Sequence, residues 1–140
     1  MPGMLDQAIA ESEERARIER ISAEKGMLEQ QMLEEQAPAI WQQFRAAIKA
    51  ECSCRPKHLA FAVTPNTEAA VNTLQPGSRR TLLLRFLPRS KAVSFVCGSN
   101  AGMYPIRLNA LNIAVLCNSD GDEFGSVEEA ADVALTLLFQ

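Results

Sequence analysis

With 140 residues, 47% of them hydrophobic and 22% charged, the chain has the composition of a single globular domain and not that of a disordered segment. No apolar run approaches the ~18–20 residues of a bilayer-crossing helix, Met1–Arg20 lacks the basic and apolar regions of a secretory signal, and four cysteines suit a reducing interior, so a cytoplasmic protein with no membrane partner is expected. The net charge of −3 is unevenly laid out: residues 1–50 carry nine acids and six bases, residues 51–110 two acids and eight bases, and the last thirty residues six acids and no base.

From Leu5 to Gln36 the chain is written in helix formers, with no proline and Gly26 as its only glycine. Glu11–Arg15 and Glu13–Arg17 are i,i+4 pairs in the favourable orientation, and Arg20–Glu24 and Lys25–Glu29 in the less favourable one. The apolar stripe is thin at Leu5, Ile9 and Ala16 and thickens through Ile18, Ile21, Leu28, Met32 and Leu33. Ile18, Ile21, Leu28 and Met32 fall at a and d positions of a heptad, with Lys25 at one a position, a short coiled-coil pattern. As a helix this stretch would extend roughly 48 Å, whereas a body of about 90 residues has a radius of gyration near 12 Å. The stripe therefore calls for another surface, and the simplest one is a copy of itself.

Pro38 marks a break: either a kink, or the end of one helix near Gln36 and the start of another with Pro38 in its first turn. Ile40, Trp41, Phe44, Ala47 and Ile48 then recur at three-to-four spacing. They predict a helix to Ala50 that docks on a sheet, with Trp41 and Phe44 as core anchors. Beyond a connecting segment at Glu51–Pro56 the rhythm changes to short β-branched and aromatic runs. Strands are expected at His58–Val63, Thr81–Leu87, Lys91–Cys97, Met103–Asn109 and Leu111–Cys117, while Thr67–Leu74 reads equally as strand or short helix. Turns are expected at Thr64–Asn66, Gln75–Ser78, Pro88–Ser90 and Gly98–Gly102. The spacing of strand starts points to an antiparallel meander, and Arg85 and Arg107 inside apolar runs to a solvated face.

Ser126 and Glu129 have the spacing of a capping box. The apolar residues from Val127 to Phe139 wrap nearly the whole circumference of the helix they begin, which predicts burial on most sides, either between the sheet and the N-terminal helix or against a second subunit. The fold class is therefore α+β: a helical arm over residues 1–36, then a domain over 37–140 with about four to six antiparallel strands and a C-terminal helix packed on the sheet.

Four groups of residues are candidates for chemistry. Cys52, Cys54 and His58 lie within seven residues and would ligate zinc if Cys97 or Cys117 completed a tetrahedron, though C-x-C-x3-H is not a zinc-finger spacing. Arg55 and Lys57 beside them would lower a thiol pKa and make a redox pair. Asn118, Asp120, Asp122 and Glu129 fall at positions 1, 3, 5 and 12 of a calcium loop, but position 6 is Glu123, not glycine. Arg79, Arg80, Arg85, Arg89, Lys91 and Arg107 form a basic zone that would read phosphates from one sheet face. Its bland alternative is that the acidic tail folds back and neutralises it. A single histidine and the lack of nucleotide, hydrolase or metalloprotease motifs argue against an enzyme and imply no cofactor.

These observations favour a noncatalytic protein–protein interaction or homo-oligomerisation module, a dimer or a binder of another helical protein, acting through Ile18, Ile21, Leu28 and Met32. The alternatives are a nucleic-acid or anion-binding protein using residues 79–107, and a metal- or thiol-dependent protein using Cys52, Cys54 and His58.

Overall fold

The three-to-four spacing of Trp41, Phe44 and Ile48 does produce a helix, but a longer one than the sequence announces. In the computed structural model, which describes residues 3–74, 77 and 79–140, helix α1 spans Met4–Cys54 without interruption and Pro38 lies inside it. A proline in a helix interior removes one backbone hydrogen bond and costs about 3 kcal/mol. Here Pro38 is exposed, while Ala37 and Trp41 on either side of it are buried. The burial of the flanking face keeps the helix intact, and no second helix begins at Pro38. The helix also continues through Glu51–Cys54, because the segment that disfavours helix is the residue before Pro56 and not Glu51.

Six strands follow: β1 (Leu59–Phe61), β2 (Glu68–Thr73), β3 (Thr81–Leu87), β4 (Ala92–Cys97), β5 (Asn100–Leu108) and β6 (Ala114–Leu116). Each pairs antiparallel with its sequence neighbour, giving the spatial order β1-β2-β3-β4-β5-β6. The ambiguous Thr67–Leu74 stretch is strand β2, whose burial alternates as period-two pairing requires, with Ala69, Val71 and Thr73 inward. The expected turn at Gln75–Ser78 lies outside the described residues except for Gly77. The turn expected at Gly98–Gly102 is shorter: only Gly98 and Ser99 separate β4 from β5, and Gly98 takes φ +61°. A two-residue hairpin of this kind requires a left-handed first residue, which glycine supplies.

Gly102 belongs to β5, opposite Phe95 of β4. A Cβ there would lie 2.6 Å from the Phe95 ring. The missing side chain makes room for Phe95 to stack on Tyr104 at 4.6 Å between centroids.

The inner sheet face carries Val71, Leu82, Leu84, Phe86, Val93, Phe95, Tyr104, Ile106 and Leu116 into one core with Trp41, Phe44 and Ile48 of α1. Trp41 stacks on Phe86 at 6.0 Å, and its indole N–H donates to the Asn66 carbonyl at 2.6 Å, so its polar edge is satisfied as its rings are buried. The Gln36 side chain ties β6 to α1 through its amide, donating to Asn112 O at 3.0 Å and accepting from Ala114 N at 2.8 Å.

Helix α2 (Val127–Thr136) begins as expected, with Ser126 Oγ accepting from Glu129 N. The reciprocal bond is displaced by one residue: the Glu129 carboxylate accepts from Gly125 N at 2.7 Å. Within the chain itself, burial falls on one face of α2. Ala130, Ala131, Ala134 and Leu135 are buried, and so is Leu138 of the following 3-10 turn Leu137–Phe139, but Val133 is 41% and Phe139 55% exposed. Small alanines let one face of α2 approach the sheet closely, and among the described residues none buries Val133 on the opposite face.

The chain divides into two units, the first ending at Met32 and the second comprising Leu33–Gln140. Every described residue from Gly3 to Gln31 is exposed, whereas Leu33 packs against the core of the second unit.

Pro38→Ala restores a helix hydrogen bond at an exposed position and is expected to raise stability by about 1–3 kcal/mol in urea denaturation. In the same assay Gly102→Ala, which forces the Phe95 ring off Tyr104, is expected to cost about 1–3 kcal/mol.

Candidate functional site

Ile18, Ile21, Leu28 and Met32 lie on the Met4–Met32 stretch of α1, a helix whose turn of 3.6 residues places all four within one stripe. Ile18 and Ile21 are each 55% exposed and Leu28 53%, while Met32 is half-buried. The ion pairs of this stretch are local, Arg17 to Glu14 at 2.5 Å and Lys25 to Glu29 at 3.9 Å. At such exposure each contributes little to stability, and they leave the apolar stripe uncovered. Among the described residues, Ile18, Ile21 and Leu28 are exposed aliphatic side chains aligned on one helix face.

Of the six bases of the basic zone, three engage local partners. Arg85 points to the outer sheet face and pairs with Glu68 of the neighbouring strand at 3.3 Å. Lys91 pairs with Glu34 of α1 at 3.5 Å, and Arg80 donates to the carbonyl oxygens of Leu137 and Gln140. Arg107 is also on an exposed face, with its guanidinium 3.3 Å from where a Cβ of Gly121 would stand. Arg79 and Arg89 are exposed in the segments flanking β3. Glu68, Glu34 and backbone carbonyls thus meet Arg85, Lys91 and Arg80, while Arg107 lies beside the acidic loop that contains Gly121. Around Arg85 the outer face is apolar, with Leu83 half-buried and Val96 and Met103 at 44% and 50% exposure.

Cys52 and Cys54 sit on the last turn of α1, two residues and so about 200° apart around the helix. Cys52 is in the core at 4% exposure, and Cys54 is exposed, as is His58. Among the described residues no group of three His, Cys, Asp or Glu side chains is disposed to hold a metal ion. The expected lowering of a thiol pKa fails at Cys52: burial pushes this thiol up, Glu51 pushes it further, and Arg55 opposes them without prevailing. Cys97 is buried and donates from Sγ to Leu137 O at 3.6 Å. Cys117 is buried too, and desolvation raises its pKa despite the nearby Arg107.

The acidic loop before α2 is organised by its own backbone. Asn118 Oδ1 accepts from Asp120 N at 3.0 Å and Asp122 N at 2.9 Å, while Gly121 turns the chain at φ +90°. The oxygen that would lead a calcium loop is thereby engaged in an Asx turn, and Glu129 is engaged as a helix cap.

One feature was not legible in the sequence. Glu51, Arg55, Leu59, Asp132, Leu135, Thr136 and Phe139 line an open groove of ≈420 Å³. Its residues come from α1, β1, α2 and the final 3-10 turn, so no local spacing announces it. The only available sign was Phe139, an aromatic residue at the end of an already apolar helix. The groove holds the Glu51–Arg55 ion pair, which raises the Arg55 pKa.

The fold defines an α+β protein: a long N-terminal helix, a six-stranded antiparallel sheet and a C-terminal helix packed on it. Among the described residues no helix is long and apolar enough to cross a membrane. No protein-family model, curated protein or solved structure matches the chain.

Native protein treated with iodoacetamide near neutral pH is expected to be alkylated at Cys54 alone, with Cys52, Cys97 and Cys117 reacting only after denaturation, as read by peptide mass spectrometry.

Proposed function

We propose that this chain is a noncatalytic homo-oligomerisation module, a dimer favoured, that self-associates through Ile18, Ile21, Leu28 and Met32. The observation that carries the reading is the exposure of every described residue from Gly3 to Gln31 in a continuous helix bearing an aligned aliphatic stripe. A single helix gains little from intrinsic propensity in water, and most helical stability comes from packing an apolar face.

Magnitudes support a reversible dimer. Ile18, Ile21 and Leu28 are each about half exposed, so covering them in both copies contributes about half of the 1.5–3 kcal/mol of a full burial per side chain, some 5–9 kcal/mol in all. Association costs about 4–15 kcal/mol in lost freedom. The two are of similar size, so the contact is sensitive to single substitutions. The exposed Val133 and Phe139 of the C-terminal segment supply further apolar surface that a partner would cover.

Ile21→Glu combined with Leu28→Glu is expected to weaken self-association at least about 100-fold. Mass by light scattering after size exclusion would then fall from dimer to monomer. An unchanged assembly would rule out the stripe as the contact.

A further inference from the structure

On the 3.5-residue repeat of the exposed stripe, Ile18, Lys25 and Met32 occupy a positions and Ile21 and Leu28 occupy d positions. Arg15, Ser22 and Glu29 then fall at e, and Arg17, Glu24 and Gln31 at g. All of these from Arg15 to Gln31 are exposed, and Glu29 sits 3.9 Å from Lys25 within its own chain.

These charges do not treat the two helix orientations alike. In a parallel pair every a residue faces its own copy, so Lys25 would meet the partner's Lys25 inside the apolar layer. The g-to-e contacts would at the same time set Glu24 against the partner's Glu29, twice by symmetry. All of the charged contacts created are repulsive.

In an antiparallel pair a faces d. Ile18 then lies opposite the partner's Leu28, and Ile21 against the methylene stem of the partner's Lys25, whose ammonium escapes to the rim. The e-to-e contacts bring Arg15 to the partner's Glu29, again twice. Two unfavourable contacts remain: Glu24 against the partner's Glu24 at the two-fold axis, with Lys25 adjacent in each chain to offset it, and Glu14 at a d position facing the partner's Met32.

We infer that residues 15–32 dock on a second copy of this chain in antiparallel orientation, with Ile18 opposite the partner's Leu28 and Arg15 opposite the partner's Glu29. The inference rests on the self-association reading and adds its direction and register. The aliphatic stripe supplies affinity, and the flanking charges and Lys25 select the orientation.

Glu29→Arg in the full-length chain separates the orientations by sign. It turns two Arg–Glu contacts into Arg–Arg contacts in the antiparallel pair, and two Glu–Glu contacts into Glu–Arg contacts in a parallel one. Sedimentation equilibrium at low salt is expected to show a dimer dissociation constant about tenfold weaker for this variant. Adding Arg15→Glu should return it to within about threefold of the original, since the pair is restored with reversed sign. Because the double variant keeps the Glu29→Arg change, its recovery excludes a damaged helix as the cause. Tighter association of Glu29→Arg overturns the antiparallel assignment, and an unchanged constant overturns the register. An unsubstituted chain that stays monomeric at every concentration overturns the self-association reading itself, a result distinct from either.

Discussion

The packing of Trp41, Phe44 and Ile48 of α1 against Phe86 and Tyr104 of the sheet is the contact on which the rest of Leu33–Gln140 depends. An antiparallel sheet with one solvated face can be stabilised only through its other face. Strands β1 and β6 have three residues each and bring little of their own. Helix α2 spans ten residues and buries mainly alanines. The large side chains come from α1, and each buried aromatic removes ~150–250 Å² from water, about 4–6 kcal/mol at the usual coefficient. That same burial explains why the helix runs through Pro38, since ending it there would sacrifice contacts worth more than the lost hydrogen bond.

Three bases of the basic zone meet three different partners around this core. Glu68 answers Arg85 across β2 and β3, Glu34 answers Lys91, and backbone carbonyls answer Arg80. Partly exposed ion pairs contribute at most about 1 kcal/mol each, so their effect lies in where charge is placed more than in stability. A basic run in the sequence becomes, in three dimensions, scattered cations with local counterparts.

Much of the fold could be read in advance wherever one local rule acted alone. Thr81–Leu87 matches β3 residue for residue, because a short apolar run bounded by turn formers reads as a strand. Ser126 opens α2 because a hydroxyl three residues before Glu129 has one good use. The misreadings occurred where tertiary contact overrode local propensity. Pro38 did not end its helix, and Asn100–Gly102, poor strand formers, were drawn into β5 by the Phe95 ring that occupies the space above Gly102. The circumference of α2 was apolar in sequence but buried on one face only, because the sequence lists side chains without saying which neighbours exist. The candidate association stripe was legible as a heptad. The groove beside Phe139 was not, being assembled from four separate elements.

The position of α1 ahead of all six strands has a consequence for synthesis. The apolar face from Ala37 to Cys52 is complete long before the last residues that bury it, Ala130 to Leu138, have been translated. At about 5–20 residues per second that interval is roughly 4–17 s. Early in it a nascent chain carries Trp41, Phe44 and Ile48 without the sheet that buries them. Hairpins joining neighbouring strands close quickly as each emerges, shortening the exposure strand by strand. The ribosome therefore presents, at every round, a transient hydrophobic helix to whatever holdase or sister chain is nearby, before the sheet arrives to cover it.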